Sequence, residues 1–171
     1  MKTMYRTRTY SPFVGLELED IELSGDLSEE ATETIREGLS QYGVVFFRNQ
    51  HLSSEQQLHF ARSFAPVDRN RFFKAVDGYP EIAEVLKEPH QRSNIGGGWH
   101  TDHSYDLEPA MGSILLAREV PPHGGDTLFI NMAAVFDSLS PGLQQTLESL
   151  SAIHSAKHVF GYEGRWARRA D

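Results

Sequence analysis

Val44-Val45-Phe46-Phe47 is an unbroken apolar run with a capped helix on either side, and it limits the folds open to this chain more than any other stretch. Four consecutive apolar residues leave no polar face for solvent, so they read as a buried central strand. Upstream, Ser28 reads as the N-cap of a helix to about Tyr42, with Ala31, Ile35 and Leu39 as its inward stripe and Gly43 as its stop. Downstream, Ser53-Ser54-Glu55-Gln56 has capping-box form and opens a second helix, whose Leu58, Ala61, Phe64 and Ala65 face inward. Phe13–Leu18 is strand-like, and further strands are expected at Ile82–Leu86, Gly112–Ala117, Asp126–Ile130 and Ala152–Val159. Pro121-Pro122-His123-Gly124-Gly125 reads as a turn. Asn131 caps a short helix to about Ser138, and Ser140-Pro141 opens another with Leu143, Leu147 and Leu150 as its stripe. Strands interspersed with helices, without strict alternation, mean an α+β chain rather than a doubly wound sheet.

At 171 residues the chain suits one domain with a real core. A net charge of −8 argues against a nucleic-acid partner, which needs a basic footprint. The basic spots near the ends (Lys2, Arg6, Arg8 and Arg165, Arg168, Arg169) are small and read as solvated termini. There is no cysteine, so any metal must be held by His, Asp or Glu. Met1–Gly15 lacks the apolar segment of a signal peptide, and no run approaches the roughly 18 apolar residues of a membrane span. A soluble, cytoplasmic protein with no membrane partner is the expectation.

Trp99-His100-Thr101-Asp102 carries the chemistry. On an extended strand side chains alternate, which puts His100 and Asp102 on one face and Thr101 on the other. An imidazole and a carboxylate on one face can fill two adjacent positions of a divalent metal. They are two-thirds of the 2-His-1-carboxylate triad of non-haem Fe(II) oxygenases, which leaves positions open for cosubstrate and oxygen. Gly96-Gly97-Gly98 just before them is a hinge or a place of close backbone approach.

Asn94–Tyr105 together with Gly124-Gly125-Asp126-Thr127-Leu128 resembles the TauD/TfdA family of Fe(II)/2-oxoglutarate-dependent dioxygenases. The likeness extends through Val44–Arg48, the Ser53–Phe64 helix, Gly112–Glu119, Pro121–Leu128 and the helix after Ser140, and covers residues 13 to 162. It implies a double-stranded β-helix (a jelly roll of the clavaminate synthase type) with flanking helices, as one domain over residues 1–171. By the same resemblance His100 and Asp102 are catalytic and ligate Fe(II), and Thr127 helps hold the distal carboxylate of 2-oxoglutarate. A plain strand residue with a satisfied hydroxyl is the other reading of Thr127. Asn94 falls where members place polar groups near substrate, although a loop-capping role fits it equally. Trp99 is expected to pack beside the metal strand, and His103 to point away from it. Where taurine-using members carry a His and a Tyr, this chain has Asn70 and Phe73. That favours a different, less anionic organic substrate, although Arg69, Arg71 and Lys74 stand close enough in sequence to meet an acid group. The implied reaction oxidises 2-oxoglutarate to succinate and CO2 while O2 hydroxylates a small organic molecule; a homo-oligomer is left open.

The family's distal His ligand and the Arg that pairs with 2-oxoglutarate ordinarily lie beyond the length of this chain. His154 and His158 come too soon after Asp102 for that role, as do Arg165, Arg168 and Arg169. The expectation is the N-terminal portion of a longer enzyme, incomplete at its C-terminus, binding iron weakly and turning over little by itself. Two other readings compete. One is a non-catalytic binding module on a degenerate jelly roll, and the other is a zinc hydrolase using His100, Asp102 and one of His154 or His158.

Overall fold

The computed structural model describes residues 5–92 and 96–157. Asn94, His158, Lys2, Arg165, Arg168 and Arg169 lie outside the described residues, as does the end of the strand expected at Ala152–Val159. The chain packs into two compact units, Met1–Pro66 with Leu115–Leu150, and Val67–Ile114 with Ser151–Asp171.

The first unit is built on a three-stranded sheet of β1 (Thr7–Thr9), β2 (Leu16–Leu18) and β3 (Val45–Phe47), in that order. β1 runs antiparallel to β2, with Thr7 opposite Leu18. β2 runs parallel to β3, with Leu16 opposite Val45. Parallel neighbours need a crossover, and α1 (Glu29–Tyr42) supplies it. Its ends fall where the sequence puts them. The Ser28 hydroxyl accepts from the Ala31 amide, and Gly43 closes the helix at φ 72°, a left-handed conformation that glycine adopts freely. Ala31 and Ile35 are buried as expected, and Gly38 joins them because α1 lies so close to β2. A Cβ at position 38 would stand 2.6 Å from Leu16 Cδ2.

The buried central strand is β2, not the apolar Val44–Phe47 run, whose residues are half-buried. Among the described residues β3 has a strand neighbour on one side only, which leaves its other edge uncovered. Leu16 and Leu18 face the core with Leu23, Ile35, Leu52 and Phe60. Glu17, between them in sequence, is nevertheless buried, because Tyr10 and Arg48 close over it. α2 (Ser54–Arg62) begins with the expected capping box at Ser53 and Gln56. It buries Leu58 and Phe60, while Ala61, Phe64 and Ala65 are half-buried. Phe60 meets Phe47 and Phe64 edge-on at 5.9 and 5.2 Å, a favoured aromatic geometry.

α3 (Met132–Asp137) and α4 (Pro141–Glu148) start at the expected caps, Asn131 and Ser140. The stripe expected on α4 is not buried: Leu143, Leu147 and Leu150 are exposed. Gly112–Ala117 and Asp126–Ile130 are likewise not strands. A strand exists through pairing of its backbone amides and carbonyls, and the described residues offer these segments no partner. The described strands accordingly form no closed barrel.

In the second unit β4 (Ala75–Val76) and β5 (Tyr79–Ala83) make a hairpin around Asp77-Gly78, with Gly78 at φ 80°. Asp-Gly is a strong hairpin signal, and it starts the second strand ahead of the expected Ile82–Leu86. The other described residues of this unit up to Ile114 are irregular. No helix among the described residues is long and apolar enough to cross a membrane.

Candidate metal centre

His100 and Asp102 do converge, but by a turn rather than a strand. Gly96 adopts φ 69°, and a Cβ there would sit 3.3 Å from His100 Cε1, so glycine makes room for the imidazole to fold back. His100 Nδ1 then lies 2.8 Å from the Gly98 carbonyl oxygen. A carbonyl only accepts, so Nδ1 donates to it, and Nε2 is the nitrogen that would meet a metal. That nitrogen stands 3.2 Å from Asp102 Oδ1. Two ligands at right angles on an ion, each at about 2.1 Å, lie about 3.0 Å apart, so this spacing fits one metal between them. Ser113 donates to the other carboxylate oxygen, Oδ2, at 3.3 Å, which leaves Oδ1 directed at the imidazole. The donor set is one neutral nitrogen and one anionic oxygen, suited to ferrous iron. Both side chains are more than half exposed, and the described residues add no third His, Asp or Glu to the pair.

The turn after Asp102 is held from several sides. Thr101 Oγ1 donates to Ser104 Oγ at 2.8 Å, and His154 Nδ1 meets the same hydroxyl at 2.8 Å. His103 adopts φ 55°, uncommon for a residue with a side chain. Its Nδ1 lies 3.0 Å from Asp106 Oδ2, and its ring stacks on Tyr105 with centroids 5.9 Å apart. The second Asp106 oxygen accepts from Arg71 Nη2 at 2.5 Å. The Arg71 guanidinium and then the His103 imidazole hold the Asp106 carboxyl below the usual aspartate range. Burial, followed by the nearby Asp106 charge, pushes the Tyr105 phenol up.

Other expected site residues are placed as follows. Asn70 is half-buried, and its Oδ1 accepts from the Phe72 and Phe73 amides at 2.8 and 3.1 Å, so it shapes a local Asx turn. Phe73 is half-buried. Arg71 is committed to Asp106, and Arg69 pairs with Glu81 at 3.5 Å. Thr127 belongs to the first unit and is exposed, after a turn in which Gly124 and Gly125 both take left-handed φ. Trp99 does not pack as expected: it is 69% exposed. His103 points to Asp106, off the His100–Asp102 pair, as anticipated. His154 bonds to Ser104 and, among the described residues, forms no three-ligand group with His100 and Asp102, so it does not serve the zinc-hydrolase reading; His158, the other candidate, lies outside the described residues. Surface depressions lined by Glu29, Glu30, Glu33, Arg36, Glu37 and Gln41 belong to α1 alone and include neither His100 nor Asp102. Sequence reasoning passed over Ser113 and Asp106; the His103-x-x-Asp106 spacing was the one local signal for the latter.

Comparison with known proteins adds the family. The profile of the "Taurine catabolism dioxygenase TauD, TfdA family" matches residues 6–171. An alpha-ketoglutarate-dependent sulfonate dioxygenase of Saccharomyces cerevisiae is 34% identical over 163 residues, which is 89% of this chain and 39% of that protein. An alpha-ketoglutarate-dependent 2,4-dichlorophenoxyacetate dioxygenase of Cupriavidus pinatubonensis is 34% identical over 162 residues, 85% of this chain and 56% of that one. The crystal structure of a taurine dioxygenase from Burkholderia xenovorans superposes with a TM-score of 0.72 at 34% identity, over 85% of this chain and 51% of its own. The chain thus spans about half the length of the relatives it matches. Dioxygenases of this family use Fe(II) and 2-oxoglutarate. With its His-x-Asp pair spaced for a shared metal and a profile match over nearly its full length, the chain belongs to the TauD/TfdA family.

Proposed function

We propose that this chain supplies the proximal metal ligands of an Fe(II)- and 2-oxoglutarate-dependent dioxygenase that hydroxylates a small organic substrate, built on the family's jelly roll. The observation that carries the reading is the His100–Asp102 pair, with Nε2 and Oδ1 3.2 Å apart and Nδ1 tied to a backbone carbonyl. When bound, ferrous iron supplies the activation of O2 that drives decarboxylation of 2-oxoglutarate to succinate and CO2 together with substrate hydroxylation. The residues of this chain do the orienting. The Gly98 carbonyl fixes the imidazole tautomer, and Ser113 holds the carboxylate so that a single oxygen is presented. Thr127 is assigned to the distal carboxylate of 2-oxoglutarate, and Asn94, Asn70 and Phe73 to the substrate. A segment with Asn70 and Phe73, its Arg69 and Arg71 already paired with carboxylates, favours a less anionic substrate than taurine.

Anaerobic addition of Fe(II) and 2-oxoglutarate tests this. The expected result for the 171-residue chain is a weak visible charge-transfer absorption of an iron-chelated keto acid, with little succinate released once O2 and substrate are admitted. His100→Ala and Asp102→Ala should each abolish the absorption. Ligand binding indifferent to both substitutions and to iron would replace this reading with that of a non-catalytic binding module.

A further inference from the structure

We propose that Asp106 is a positioning residue for the metal centre: by bridging Arg71 and His103 it locks the turn that immediately follows Asp102, steadying that carboxylate beside His100, and ties the turn to the Asn70–Phe73 segment. The inference rests on the reading of His100 and Asp102 as metal ligands.

Both oxygens of Asp106 are committed. Oδ1 accepts from Arg71 at 2.5 Å and Oδ2 meets His103 Nδ1 at 3.0 Å. The Asp106 amide also donates to the His103 carbonyl at 2.9 Å, which closes the turn through its backbone. Asp106 and His103 are largely shielded, at 21% and 17% side-chain exposure, whereas the ligand pair is open to water. A contact screened from water keeps more of its strength than an exposed pair. His103 needs such a contact, because a left-handed backbone is disfavoured for a residue with a Cβ. His103 directly follows Asp102, so the conformation paid for by these contacts sets the direction in which the Asp102 carboxylate leaves the chain.

The same network reaches back to the segment assigned to substrate. Arg71 lies over the Phe72 ring at 5.9 Å, and Phe72 meets Tyr105 edge-on at 6.4 Å. Arg71 and Asp106 are 35 residues apart in sequence, so their pairing, with the Phe72–Tyr105 contact, joins two distant stretches of the second unit. Groups that brace a metal ligand from outside typically change metal affinity by about 10–100-fold when removed.

The test uses the 171-residue chain with Mn(II) as the probe, its free signal read by electron paramagnetic resonance, and circular dichroism to monitor folding. Asp106→Asn and Arg71→Gln should each weaken Mn(II) binding about 10-fold or more while the helical signal stays unchanged. The double variant should lose no more than Asp106→Asn alone, because that substitution already removes the carboxylate that Arg71 meets. Arg71→Lys, which keeps the charge, should recover part of the affinity, and it serves as the readout where Arg71→Gln fails to fold. His100→Ala separates the two claims. Loss of binding in His100→Ala with wild-type binding in Asp106→Asn and Arg71→Gln overturns the positioning role and leaves the metal site standing. Binding unaffected by His100→Ala, or absent from the unsubstituted chain, overturns the metal-site reading and this inference with it. Additive losses in the double variant overturn the bridge.

Discussion

A methyl group at position 96 would press on the imidazole proposed as a metal ligand. The Cβ of Gly96→Ala falls 3.3 Å from His100 Cε1, and the backbone there holds φ 69°. Left-handed backbone costs a residue with a side chain about 1–2 kcal/mol, which the loop relieves by shifting the ring off its place. At Gly98 an added Cβ meets nothing within 4 Å. Gly96→Ala should therefore weaken Mn(II) binding several-fold while Gly98→Ala leaves it near wild type, as titration of both would show; equal effects would mean that the glycines act only through flexibility. The adjacency of His100 and Asp102 was legible because i, i+2 spacing puts two side chains together on a strand, and this turn also achieves it. The route was not legible, since it depends on a glycine conformation and on a carbonyl that carries no sequence signal. Nor was Asp106, whose partner Arg71 is remote in the chain.

Helix starts were legible to the residue because their caps are local. Ser28, Ser53, Asn131 and Ser140 each accept the amide bonds that start a helix, whatever the rest of the chain does. Strands depend on distant neighbours, so the most apolar run became the sheet edge, while Leu16–Leu18, with a glutamate at its centre, became the buried strand. Glu17 is tolerated there because Tyr10 donates to it and Arg48 lies 3.4 Å away. The Tyr10 hydroxyl, ahead of the Arg48 charge, holds this carboxyl below its ordinary value of 4.5. A carboxyl lowered on folding stabilises the fold above its ordinary value and loses that contribution as pH falls through the lowered one. Glu17→Gln should thus melt earlier than the wild type at neutral pH, and the gap should close as the pH is stepped down below 4.5. Thermal melts followed by circular dichroism across that range check it, and a gap independent of pH would assign the loss to packing.

The segment from Leu115 to Leu150 belongs to the first unit, yet much of its apolar content stays outside the core. Val120 and Leu128 are more than 70% exposed, and Phe129, Ile130, Met132, Leu143, Leu147 and Leu150 are exposed as well. Leu116 is the member that packs on the core, and Arg118 donates to the Leu52 carbonyl at 2.7 Å, so the segment is anchored while its flanks are bare. Two stretches of it read as strands from sequence and stand unpaired among the described residues, and unpaired apolar backbone is a ready template for another chain. A jelly roll buries such stretches between two sheets, and a reader of sequence alone sees the apolar pattern without its covering partner. The 171-residue chain on its own should accordingly bind a hydrophobic dye in its native state and associate as its concentration rises. Val120→Thr with Leu128→Ser should reduce both dye binding and the sedimentation coefficient at high concentration, with little change in melting temperature, because these side chains contribute nothing to the core. A matching fall in melting temperature would show instead that the segment is already packed in solution, and that its apolar residues support the fold of this chain directly.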